Sequence, residues 1–246
     1  MIACNNKTET KAKYNDLTND NLKGAIAAIE ESPYQTDSTG KIGTMDSCCI
    51  DVTEYNEDGN SVKNISKDSK GTVKSETVFA RHENGLWKSA TETKDGKTRL
   101  AFDTQLDKDG KYVGGQAFDS AGKMEFYYTG LGENEYGQVM SWKQYDKDSV
   151  FRMEGEGKFD KNMQTGFTVK DSVGKMKSSS TSKYNDKGEQ IESSNTNVGK
   201  DSTTTKVTKY SYESHDDTGN WTQRTEWNDK GKATKIVKRV YTYRKK

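Results

Sequence analysis

Proline is nearly absent: Pro33 stands alone among 246 residues. There are three cysteines, two histidines and no apolar run of 18 residues, which excludes a membrane-spanning helix. Only 29% of residues are hydrophobic and the mean hydropathy is −1.11, too little for a thick core. The 39 basic and 38 acidic residues leave a net charge of +1, so no overall field draws in nucleic acid, and none is expected as a partner. Lys, Glu and Asp fall on both alternating faces of most expected strands, which argues against a lipid-facing barrel of the porin type. No nucleophile elbow, P-loop, dinucleotide fingerprint or HExxH motif occurs. Cys48 and Cys49 are adjacent, and no CxxC accompanies them. On a strand they point to opposite faces, so no metal site and no cofactor is expected, and two free thiols are favoured over a vicinal disulfide.

What is present argues for a fold. Aromatic residues make up 10% of the chain, which is uncommon in disordered segments. The stretch "DDTGNWTQRTEWNDKGK" (216–232) carries two Asx-led turns whose glycines, Gly219 and Gly231, lie 12 residues apart. It is one copy of a ladder. One series of turns centres on Gly59, Gly85, Gly110, Gly137, Asn162, Gly188 and Gly219, with gaps of 26, 25, 27, 25, 26 and 31. The other centres on Gly71, Gly96, Gly122, Asp148, Gly174, Gly199 and Gly231, with gaps of 25, 26, 26, 26, 25 and 32. Both lengthen at the last step, so one insertion of about six residues near 200–215 explains both. The segments between turns are rich in Thr, Val and Tyr, good strand formers. The expected fold is all-β: an antiparallel meander of about 14–16 strands built from repeats of about 26 residues with two turns each. A sheet that wide is expected to be elongated, twisted or partly rolled, and stabilised repeat by repeat as in solenoids.

Met1-Ile2-Ala3-Cys4 resembles the end of a bacterial lipobox, with Cys4 as the lipidated residue and polar residues behind it as a tether. The expected organisation is therefore a lipobox remnant and flexible tether over 1–21 and a single β-hairpin repeat domain over 22–246. The C-terminal "KATKIVKRVYTYRKK" reads as a last strand whose lysines block edge-to-edge pairing, with contact to phosphate or anionic lipid as the alternative. "NDNLKGAIAAIEES" has helical spacing at Leu22, Ala25, Ile26 and Ile29.

The motifs "YNEDGN" (55–60), "YNDKGE" (184–189), "DDTGNWTQR" (216–224) and "VYTY" (240–243) resemble YD-repeat (RHS-like) and MORN-variant hairpin repeats. They are most similar to small lipoproteins of gut Gram-negative bacteria. The resemblance implies a strand, not a helix, over "LKGAIAAIEESPY" (22–34). It implies an envelope location anchored to the outer membrane through lipidated Cys4, on the periplasmic or surface side. It also implies O-glycosylation at Asp–Ser triplets, here Ser38, Ser120, Ser149, Ser172 and Ser202, although Asp-Ser is also a common turn pair.

Little points to catalysis. His82 beside Glu83, and His215 beside Asp216 and Asp217, could act as general bases, but both sit in turns where nothing excludes water. "DKDG" (107–110) lacks the 12-residue loop of a calcium site. Trp87, Trp142, Trp221 and Trp227 are candidates for stacking a ligand on a concave face, or for the core itself. The expected function is a non-enzymatic, membrane-tethered module that binds a glycan or a protein. The alternative is a structural or immunity-type module acting through an exposed strand edge. An enzyme, a hydrolase for instance, is a remote third, because it needs titratable side chains converging in a closed pocket. Aromatics on a concave face would favour the first reading, and a bare sheet edge the second.

Overall fold

The computed structural model describes residues 14–37 and 39–245. A short helix, α1 (Asp16–Asn19), precedes seventeen strands. They are β1 (Ile26–Thr36), β2 (Ile42–Met45), β3 (Cys48–Tyr55), β4 (Ser61–Asp68), β5 (Val73–Arg81), β6 (Trp87–Lys94), β7 (Lys97–Leu106), β8 (Tyr112–Phe118) and β9 (Met124–Glu133). They continue with β10 (Val139–Asp146), β11 (Phe151–Asp160), β12 (Met163–Asp171), β13 (Met176–Tyr184), β14 (Gln190–Val198), β15 (Thr203–His215), β16 (Trp221–Asn228) and β17 (Ala233–Tyr243).

Strand follows strand antiparallel from β3 to β17, and β17 then pairs with β1 from Ile26↔Tyr243 to Gln35↔Lys235. β1 pairs in turn with β3, so the sheet is a closed ring of sixteen strands. β2 continues the line of β3 beyond a break at Asp46–Ser47 and pairs with the far end of β1. This corrects the expected open, twisted or partly rolled sheet and its solenoid-like logic, since the first and last strands of the meander are neighbours. The physical reason is edge pairing. An open sheet leaves two rows of bare N–H and C=O groups, and closure satisfies both. The lysines of β17 therefore guard no edge. Glu31 on β1 receives Arg239 of β17 across the seam.

The turns explain the glycine ladder. In most of them an Asp or Asn side chain accepts the backbone N–H groups two and four residues on, as Asp107 does from Asp109 and Lys111 at 2.9 Å each. The residue three positions on adopts a left-handed conformation, as in a type I turn followed by a G1 bulge. Gly59, for example, has φ +83°. The N–H of Thr72 on Asp68 and that of Val150 on Asp146 hold those carboxyls below the usual carboxylate range. Where the ladder lacks glycine, the left-handed residue is Lys161 (φ +56°) or Ser149 (φ +61°), one position away from the expected Asn162 and beside Asp148. The extra residues near 200–215 lengthen β15 to 13 residues, so that Thr203–Val207 runs past the end of β16. Cys48 and Cys49 are joined as a vicinal disulfide, correcting the expectation of two free thiols.

Candidate functional site: a capped lumen with two chambers

The two turn series are the two rims of the barrel. One rim carries the turns at Gly71, Gly96, Gly122, Gly174 and Gly231, and around each of these glycines the space is open. The other rim is crossed by residues 14–24. Tyr14 donates its N–H to Asn84 O, and Leu17 its N–H to Gly59 O. Asn162 Nδ2 donates to Thr18 O, Asn21 Nδ2 to Lys187 O, and Asn220 holds the backbone of Lys23 at both its N–H and its C=O. Packing is as close as the bonding: a side chain on Gly85 would run into Tyr14 O. Residues 14–21, expected as part of a flexible tether, are thus a cap stitched to the turns. Cys4 and the rest of the proposed tether lie outside the described residues.

The cap contributes a residue to each hydrophobic cluster among the described residues. Leu17 packs with Ile26, Ile29 and Tyr55, and Tyr14 with Leu86 and Tyr112. Asp16 accepts from Ser61 N–H and Oγ and pairs with Arg81, whose side chain is 9% exposed. Elsewhere the ring is too wide to fill. Sixteen strands about 4.8 Å apart and tilted by about 40° make a circle roughly 30 Å across, the size that leaves a lumen.

Beneath the cap the lumen holds two chambers that share Asn19 and Gln138 as lining residues. The first, about 560 Å³, is polar. Amides from Gln164 and Gln190 meet Tyr184, Tyr212 and Arg224 along its wall, with Gln190 Nε2 also donating to Ser182 Oγ, while the Asn220 amide beside them is taken up by Lys23 and the Tyr243 hydroxyl. Arg224 reaches Glu226 at 3.2 Å, and its buried Nε has no partner among the described residues. Asp20 opens into this chamber yet is ringed by protein; that enclosure, with Asp16 close by, pushes its carboxyl up to about 6. The second chamber, about 500 Å³, is walled by Trp87, Phe102, Tyr128, Leu131, Val139 and Trp142. Its aromatic rings lie against glycines: a Cβ on Gly155 would overlap the Trp142 indole, and one on Gly115 would sit 2.8 Å from the Phe102 ring. Each ring thus lies along the wall where a neighbouring strand has no side chain.

Of the four tryptophans, Trp87 and Trp142 line the apolar chamber. Trp221 borders the polar chamber but is only 8% exposed, with the guanidinium groups of Arg239 and Arg224 at 3.8 and 4.9 Å from its ring, so most of it is core. Trp227 donates to Ser211 Oγ and lines neither chamber. His215 bonds Glu189, not the neighbouring Asp216 or Asp217, while His82 Nε2 lies 3.3 Å from Thr104 Oγ1. Burial opposes ionisation of Glu189, but the bonds from Asn185 and His215 outweigh it and lower its pKa. Among the described residues no three His, Cys, Asp or Glu side chains come together to hold a metal. Ser120, Ser149, Ser172 and Ser202 are all exposed in turns of the open rim. Ser38, in the Gly40 turn, lies outside the described residues. Sequence reading missed the cap, Arg81 and the amides. The Asn- and Asp-rich run 15–21 was the available signal, and it reads equally well as coil.

The outer face mixes charge with exposed apolar side chains such as Val78, Val113 and Ile191. Trp142, Gly155 and Val169 stand in register and face inward, so the adjacent row of Lys143, Glu154 and Lys170 faces out. Lys63 and Glu76 form a further pair at 2.7 Å on partly exposed strands.

No family model matches the chain, and no curated protein matches it. Among solved structures it is similar to a porin-like protein from Bacteroides uniformis, with 11% identity over 89% of this chain and 99% of that one and a TM-score of 0.55. A porin-like protein from Bacteroides vulgatus has 12% identity over 80% and 98% of the two chains, with a TM-score of 0.35. The YD-repeat and MORN resemblance gains no support from these comparisons. At 11% identity, the likeness to the Bacteroides uniformis protein is one of fold alone: an antiparallel β-barrel.

Proposed function

We propose that this barrel is a non-catalytic binding protein of the bacterial envelope that takes a glycan into its lumen. One observation carries the reading: beneath the cap, a chamber of about 560 Å³ sets side-chain amides and Arg224 beside tyrosine rings. Amides and guanidinium groups match the hydroxyls of a sugar, and ring faces match its C–H faces. The chamber falls within the usual size of small-ligand sites. Closure removes the bare sheet edge that the immunity-type alternative requires, whereas the aromatics do line a concave face. The charged outer row opposes a lipid-embedded band, so the barrel is read as water-exposed and not as a pore.

Titration calorimetry with a panel of neutral oligosaccharides, the maltose series included, tests the lumen. At least one is expected to bind, and Arg224→Gln is expected to weaken it by about tenfold, the worth of a charge-assisted hydrogen bond. A Trp227→Phe control, outside both chambers, is expected to leave affinity unchanged. If no oligosaccharide binds, the glycan reading fails.

The envelope location rests on the lipobox-like Cys4 and is compatible with the fold of the Bacteroides uniformis porin-like protein. An anchor at Cys4 would hold the barrel by its capped rim, because Tyr14 lies there. In cells, Cys4→Ala should abolish fatty-acid labelling and release the protein from membranes. Persistent sedimentation of the variant with membranes would rule the anchor out.

A further inference from the structure

Resting on the lumenal glycan reading, we infer that the ligand is amphipathic: its sugar occupies the polar chamber and an apolar tail occupies the chamber walled by Phe102, Tyr128, Leu131, Val139 and Trp142. Asn19 and Gln138 line both spaces, so a molecule lying across the two would pass these side chains.

The polar atoms of the second chamber are already engaged. Arg81 is held by Asp16 and by Ser61 O at 2.9 Å. Thr104 Oγ1 donates to Trp87 O, and the Tyr112 hydroxyl accepts the Trp87 N–H at 2.7 Å. A second sugar placed there would lose its water and find few free partners, which is costly. A hydrocarbon or aryl group loses nothing and buries its surface against ring faces. The rings are fixed for that purpose. Tyr128 meets Phe102 and Trp142 edge-on at 5.8 and 5.4 Å, and Gly115 and Gly155 leave room for the outer two to lie along the wall. The cap spans the adjacent rim, so a protein segment could approach only from the open end.

Alkyl maltosides from hexyl to decyl, used below their micelle concentrations, with maltose as the tail-less control, test this by calorimetry. Each added methylene is expected to tighten binding about three- to fourfold until the chamber fills. Trp142→Ala, and independently Leu131→Asn, should flatten that series and leave the affinity of the tail-less sugar unchanged. If maltose binds and chain length has no effect, the amphipathic inference is overturned and the glycan reading stands. A chain-length effect that survives both substitutions places the tail elsewhere and also overturns it. If neither maltose nor any maltoside binds, and the wider oligosaccharide panel also fails, both readings fall together.

Discussion

Arg81→Ala should lower the unfolding free energy by about 3 kcal/mol, the low end of the cost of removing one partner from a buried ion pair, because Asp16 keeps 23% of its side chain exposed. The guanidinium touches the cap and the wall at once. It pairs with Asp16, donates to Ser61 O and Oγ, and lies 5.5 Å from the Trp87 ring. Without it, Asp16 keeps the Ser61 bonds but is left as a partly buried charge with no counter-ion. The loss should be local before it is global. Amide exchange at Tyr14 and Leu17, whose N–H groups bond the Asn84 and Gly59 carbonyls, should speed up well before that of the strands. Arg81→Lys should recover only part of the loss, since an ammonium cannot reproduce the fork that spans Asp16 and Ser61. The double variant Asp16→Asn with Arg81→Met should be more stable than Arg81→Ala alone, because it leaves no unpaired charge. Urea unfolding of the four proteins measures this. A loss below about 1 kcal/mol for Arg81→Ala would mean that the cap is not fastened here.

What could be read from the residues was the local chemistry. An Asx side chain that accepts N–H groups two and four residues ahead, followed by glycine at positive φ, is written into five consecutive residues. Such turns mark strand ends wherever they recur. The run Ile26–Thr36 does form a strand, against its helical spacing. The insertion near 200–215 does appear, as the extra length of β15. Closure was not legible, because it depends on partners such as Glu31 and Arg239 that are 208 residues apart. The charge pattern spoke against a barrel of the porin type, yet the strands do close into a barrel. Charge at alternating strand positions bears on what surrounds a barrel and not on whether its strands close. The cap was hidden for a different reason. Asn19 and Asn21 donate to the carbonyls of turns 117 and 166 residues away, and nothing local separates such amides from those of a coil. Trp221 and Trp142 look alike in sequence, yet one has two guanidinium groups against its ring and the other lies along the lumen wall over a glycine.

Pairing of β1 with β17 is the step that turns a ribbon of strands into a lumen, and a cysteine pair reports on it directly. Glu30 and Val240 are register partners across the seam, and Val240 is 64% exposed. Their replacement by cysteine, in a background lacking Cys4, Cys48 and Cys49, places two thiols at a distance suited to a disulfide or a short bis-thiol linker. Oxidation of dilute protein should give a monomeric, internally linked species. The bond closes a loop of some two hundred residues, so it should also stabilise the fold by about 3–5 kcal/mol relative to the reduced form. A protein that forms only intermolecular links, or none, would show that these two strands are free edges and that there is no enclosed lumen to hold a ligand.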